Sequence, residues 1–109
     1  MATNRIKQIN ALLQSQLSRL LLKELDFKEG IIATVIKVDT TKDLSICRVF
    51  LSVMPEKETR ETLKFLRRNV VSLQMALNKK VFLRKTPKLV FLPYQETEEI
   101  RVEKLLEEL

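Results

Sequence analysis

The spacing of apolar residues changes twice along this chain, and that change constrains the fold more than any other feature. Over residues 4–25, Ile6, Ile9, Leu13, Leu17, Leu20 and Leu21 recur at steps of three and four. That spacing lays an apolar stripe along one face of a helix. Thr3 or Asn4 is placed to cap the helix with a side-chain oxygen. The only glycine, Gly30, closes the loop that starts at Asp26. Residues 31–38, Ile-Ile-Ala-Thr-Val-Ile-Lys-Val, are rich in β-branched types, which favours a strand. Alternation follows, with Cys47, Val49, Leu51 and Val53 on one face and Leu44, Ile46, Arg48 and Phe50 on the other. Asp39 to Asp43 reads as a polar turn, so the two strands are expected to form an antiparallel hairpin.

Steps of three and four return after Pro55, at Leu63, Leu66, Val70, Leu73 and Leu77, with Glu56 and Glu58 in the first turn, where the helix dipole favours negative charge. Asn69-Val70-Val71-Ser72 are weak helix formers and predict a bend. Asn78 reads as the stop signal. After the stretch from Val81 to Arg84, Leu89 to Leu92 form a third strand ended by Pro93. Residues 95–109 read as a last amphipathic helix, with Ile100, Val102, Leu105, Leu106 and Leu109 as its apolar positions. With no internal repeat and no linker, the 109 residues are expected to make one domain. Its class is α+β, in two layers, with helices on one sheet face and a right-handed crossover to the third strand. On the open face, Leu44, Ile46 and Phe50 read first as ordinary exposed apolars, and alternatively as a partner surface.

Much catalytic chemistry is missing. There is no histidine, hence neither the commonest general base nor the commonest metal ligand. One cysteine, Cys47, excludes an internal disulfide and a zinc site of the usual kind, and its inward strand position suits a small hydrophobe. A single glycine excludes Gly-rich phosphate loops. Glu96, Glu98 and Glu99 cluster at a helix start, where they offset the dipole. No enzyme activity, cofactor, metal or small-molecule substrate is expected. No apolar run reaches the length of a membrane span, and the N-terminus lacks a secretory pattern, so the expected location is the cytoplasm.

Charge is unevenly placed. The net charge is +6, yet from Gln95 to Leu109 six acids face two bases, a net of −4 that leaves +10 on the rest. Between Arg60 and Lys88 stand nine bases, Arg60, Lys64, Arg67, Arg68, Lys79, Lys80, Arg84, Lys85 and Lys88, with Glu61 the only acid. A solvated face normally mixes both signs. Dominance of one sign over nearly thirty residues points to a phosphate-binding surface, whose affinity would fall steeply with salt. No aromatic pair on a strand resembles a base-stacking platform, so backbone and shape recognition is favoured.

Specific residues add a resemblance to this order of elements. The opening Asn4-Arg5-Ile6, the segment Asp43-Leu44-Ser45 followed by Arg48-Val49-Phe50-Leu51-Ser52-Val53, and Leu77-Asn78-Lys79-Lys80 followed by Leu83-Arg84-Lys85-Thr86-Pro87-Lys88-Leu89 resemble the ribosome-binding factor A family of bacterial small-subunit maturation factors. The resemblance runs over nearly the whole chain. It implies a type II KH-like domain, ordered α-β-β-α-α-β, here followed by the C-terminal helix. In that family a helix–kink–helix marked by Ala-X-Gly replaces the GXXG loop of other KH domains. The equivalent positions here are Asn69, Val70 and Val71, which leaves the form of the bend open. The resemblance further implies a non-catalytic factor that binds the free small ribosomal subunit and its rRNA and assists late rRNA processing, above all in the cold; a monomer is expected. The phosphate contacts expected are Arg67, Arg68, Lys79, Lys80, Arg84, Lys85 and Lys88, with Arg5 and Lys7 as secondary ones. The competing reading is a protein-interaction module that uses the basic face and the exposed apolar strand face.

Overall fold

The computed structural model describes residues 2–24, 28–83 and 85–95. Helix α1 (Ala2–Glu24) leads to β1 (Ile32–Thr40) and β2 (Ile46–Met54). A short 3-10 turn (Glu56–Glu58), α2 (Thr59–Arg68), α3 (Val70–Lys80) and β3 (Lys88–Pro93) follow. The helix expected over residues 95–109 lies outside the described residues, except at Gln95, which is not helical.

The strand order is β1-β2-β3. β1 and β2 pair antiparallel, as a hairpin requires, and the crossing through α2 and α3 brings β3 in parallel to β2. All three helices supply core side chains to one sheet face. The α1 stripe buries Ile9, Leu13, Leu17, Leu20 and Leu21 against Val35, Val38, Cys47, Val49 and Leu51, while α2 and α3 add Leu63, Leu66, Leu73 and Leu77 and β3 adds Leu89 and Phe91. Burying each large aliphatic side chain contributes roughly 1.5–3 kcal/mol, which outweighs the modest helix and strand propensities of these segments.

Several boundaries differ from expectation, each for a local reason. Helix α1 begins at Ala2, so Thr3 and Asn4 lie inside it, and α3 runs past Asn78 to Lys80. Asp39 and Thr40 belong to β1, where they pair with Arg48 and Cys47, and a bulge at Ile36 inserts one extra residue between the Val35 and Lys37 pairings. The bulge lets Val35 and Val38, three apart, both face the core. Leu44 is not part of the open strand face. It sits in the hairpin turn at φ 60° and packs against the core. The turn tolerates this left-handed residue because Thr41 and Asp43 bind the backbone on either side: the Leu44 N–H donates to the Thr41 carbonyl at 2.9 Å and the Ser45 N–H to Asp43 Oδ1 at 3.1 Å.

Helix side chains bind backbone groups on both outer strands of the sheet. On β1, Asn10 Oδ1 accepts the Thr40 N–H at 3.0 Å, and Gln14 Nε2 donates to the Val35 and Ile36 carbonyls at 3.4 and 3.3 Å. On β3, Gln74 Oε1 accepts the Leu89 N–H at 3.1 Å, Gln74 Nε2 donates to the Pro87 carbonyl at 3.0 Å, and Arg67 Nη2 donates to the Phe91 carbonyl at 2.9 Å.

The bend between α2 and α3 is a break of one residue. Asn69 adopts φ −102° and ψ 13°, a negative-φ conformation that needs no glycine. Its Nδ2 donates to the Phe65 carbonyl at 2.8 Å, and its own carbonyl accepts the Leu73 N–H at 3.0 Å, so the end of one helix and the start of the next are both satisfied.

Candidate nucleic-acid interface

The hydrogen bonds that fix the register also fix where the basic side chains gather. The hairpin turn lies at the Thr40–Ile46 end of the sheet, and β3 begins at that same end, because Lys88 pairs with Ile46 and its N–H donates to the Ser45 carbonyl at 3.0 Å. Helix α1 runs antiparallel to β1, as its contacts at Asn10–Thr40 and Gln14–Val35 require, so its N-terminus reaches this end too. Gln74 touches Pro87 and Leu89, and α3 therefore delivers its last turn there as well. The result brings together Arg5 and Lys7 from α1, Lys42 from the turn, Lys79 and Lys80 from α3, and Lys85 and Lys88 from the entry to β3, all of them exposed. None of these seven makes an ion pair among the described residues.

The acids near this end are engaged locally. Asp39 pairs across the strands with Arg48 at 2.8 Å. Asp43 Oδ1 accepts the Ser45 hydroxyl at 2.7 Å, the Thr41 hydroxyl at 2.8 Å and the Ser45 N–H at 3.1 Å. These bonds, in that order of importance, hold the Asp43 carboxyl down to about 2, and the nearby positive charge of Lys85 pushes the same way. At the opposite end the bases are mixed with acids: Lys28 reaches Glu58 at 3.9 Å and Lys64 reaches Glu61 at 3.6 Å. Among the described residues, one end of the sheet thus carries an excess of positive charge, which suits a polyanion.

The other expected contacts are placed differently. Arg67 is exposed, but one arm of its guanidinium is bound to the edge of β3, about three residues or roughly 10 Å along the strand from the basic end. Arg68 is exposed at the end of α2 beside the Asn69 break, next to Val70 and Val71 at the start of α3. Arg84 lies outside the described residues. Among the described residues no group of His, Cys, Asp or Glu could hold a metal, and no helix is long and apolar enough to cross a membrane.

The family model described as ribosome-binding factor A matches residues 5–106, nearly the entire chain. The chain belongs to the ribosome-binding factor A family. Among curated members, ribosome-binding factor A of Flavobacterium johnsoniae is 36% identical, with 84% of this chain and 73% of the relative covered. That of Chlorobium phaeobacteroides is 33% identical, with 95% and 92% covered. The crystal structure of ribosome-binding factor A from Thermus thermophilus superposes with a TM-score of 0.71 at 30% identity, over 81% of this chain and 94% of that one. A homology model of the Thermus thermophilus factor, fitted into a cryo-EM map of its complex with the 30S subunit, superposes with a TM-score of 0.67 at 31% identity, covering 77% and 89%. Over its described residues, this member of the family shares with them a small mixed α+β architecture of a three-stranded sheet and three helices.

Three residues of the basic end escape a reading of charge along the chain. Lys42 is separated from the run between Arg60 and Lys88 and joins it only through the hairpin. Gln74 carries no charge but clamps the entry to β3; its one signal is a polar residue next to a buried leucine, Leu73, in the middle of an amphipathic helix. Phe82 is an apolar residue left 96% exposed within the basic segment.

Proposed function

We propose that this chain is a non-catalytic assembly factor that binds the free small ribosomal subunit through its rRNA, with the end of the sheet that carries Arg5, Lys7, Lys42, Lys79, Lys80, Lys85 and Lys88 set against RNA phosphates. The observation that carries the reading is the convergence of these bases, none in an ion pair among the described residues, from four separate stretches of chain onto one end, while the acids beside them are held by Arg48, Thr41 and Ser45. A local helix face needs no such convergence; a surface that follows a phosphate backbone does. Family membership and the Thermus thermophilus factor's complex with the 30S subunit support the choice of polyanion.

On this reading the domain is type II KH-like, and the α2–Asn69–α3 break occupies the place of the GXXG loop, with Arg68 beside it. Arg84 joins the same set of contacts, and Arg67 serves the fold first and the RNA second. The protein acts as a cytoplasmic monomer without cofactor, during late processing and folding of small-subunit rRNA, with its greatest effect in the cold, where misfolded RNA rearranges slowly.

Cosedimentation with purified small subunits, large subunits and intact ribosomes tests the proposal. Salt-sensitive binding to free small subunits alone is expected, and Lys79→Glu with Lys85→Glu should weaken it and flatten the salt dependence. Equal binding to every particle reduces the protein to a general basic RNA binder. Binding that survives both the charge reversal and RNase treatment transfers the function to protein contacts.

A further inference from the structure

The geometry points to Phe82 as a stacking residue for an unpaired base of the bound RNA. The inference rests on the proposed RNA-binding reading and adds to it a contact of a different kind.

Phe82 is 96% exposed, more than any other large hydrophobic side chain described. Isolated exposed apolars are common and by themselves mean little. What distinguishes Phe82 is how it is presented and what surrounds it. Helix α3 stops at Lys80, and Val81 turns extended at φ −121° and ψ 137°. In an extended segment successive side chains point to opposite sides. Val81 is buried at 4% exposure and Leu83 packs against the core, so Phe82 between them is directed into solvent. Beyond it the chain is pinned again, with Pro87 buried and its carbonyl held by Gln74. The backbone that carries the ring is therefore held by a core-facing neighbour on each side.

Its surroundings select the occupant. Lys79 and Lys80 precede it, Lys85 and Lys88 follow it, and all four are exposed without ion pairs among the described residues. A single-stranded nucleic acid supplies negative phosphates and flat π faces in regular alternation, and proteins that bind such strands combine a cationic track with aromatic side chains. An acidic peptide answers the lysines but offers no regular flat surface to the ring. Paired RNA keeps its bases stacked inside the helix, so the partner of Phe82 is an unpaired nucleotide.

The test uses the full chain, Phe82→Ala and Phe82→Tyr, and a short single-stranded RNA carrying 2-aminopurine, whose fluorescence is quenched on stacking; a duplex of the same length is the control. Phe82→Ala removes a side chain with almost no buried contact, so the fold is expected to be unchanged, which circular dichroism checks. Phe82→Ala should weaken single-strand binding about ten-fold, abolish the quenching, leave the salt slope unaltered and not affect the duplex. Phe82→Tyr should restore both affinity and quenching. Wild-type affinity and quenching in Phe82→Ala overturn the inference, while the proposed function stands if Lys79→Glu with Lys85→Glu still weakens binding. If that charge reversal also has no effect, the RNA-binding reading falls as well. A loss of affinity equal for duplex and single strand, with quenching retained, also overturns the stacking role.

Discussion

Gln74→Met removes two hydrogen bonds from the entry to β3 while keeping nearly the same side-chain bulk. In the native protein Gln74 Oε1 receives the Leu89 N–H at 3.1 Å, and Nε2 donates to the Pro87 carbonyl at 3.0 Å. Leu89 and Pro87 are both buried, so water cannot freely replace the lost partner. A typical hydrogen bond contributes about 0.5–1.5 kcal/mol net, and a buried group left unpaired costs about 1–3 kcal/mol. Because Gln74 is itself half-buried, some water reaches the site. The sum is a loss of about 2 kcal/mol, equivalent to a fall of roughly 1 M in the urea midpoint for a domain of this size. Urea unfolding followed by circular dichroism measures the loss, and amide exchange at Leu89 locates it. Gln74→Ala should lose slightly more, through its missing methylenes. A Gln74→Met protein within about 0.3 kcal/mol of wild type, with the Leu89 amide still protected, would refute the argument that this side chain holds the edge of β3.

Thr40→Val should change stability by less than about 1 kcal/mol in the same urea assay, because valine keeps the shape and the buried Thr40 hydroxyl gives up only a weak contact with the Cys47 thiol. Burial pushes the Cys47 thiol up to about 11, so at pH 8 only about one thiol in a thousand is ionised. A chromogenic thiol reagent should therefore modify Cys47 at the rate of global unfolding, and rapid labelling of the folded protein would contradict its placement. Asp43, held at about 2, contributes turn stability that is present above the ordinary carboxylate value near 3.8 and is lost as pH falls through 2. In Asp43→Asn the urea midpoint should be lower than wild type at pH 6, and the gap should close toward pH 2.

Element types were legible in the chain wherever one periodicity ran long enough to be read. The α1 stripe of Ile9, Leu13, Leu17, Leu20 and Leu21, the alternation from Cys47 to Val53 and the Leu63–Leu77 steps all pack into or against the core. What escaped was set by tertiary partners. The Ile36 bulge shifts β1 by one residue, and only pairing with β2 reveals it. Leu44 continues an alternating pattern on paper, yet Thr41 and Asp43 draw it into the turn. At the break between α2 and α3, weak helix propensity located the bend, but its form depends on the Asn69 amide reaching back to Phe65. The candidate site was legible as a charge run and not as a place. The run lists Arg67 beside Lys79, while the structure binds Arg67 to Phe91 and moves the centre of positive charge to the far end, where Arg5, Lys7 and Lys42 arrive from distant parts of the chain.

The helix side chains bound to the two outer strands of the sheet have a consequence for the company this protein can keep. A three-stranded sheet has two edges for one interior strand, and bare edges invite another chain to continue the ladder. Here Asn10 and Gln14 stand in for a neighbour on one side, and Gln74 and Arg67 on the other. Crowded copies therefore find no free backbone at these positions on which to zip together. Losing one of these four side chains would do more than subtract stability. It would also leave those backbone groups open to the ladder of a second chain.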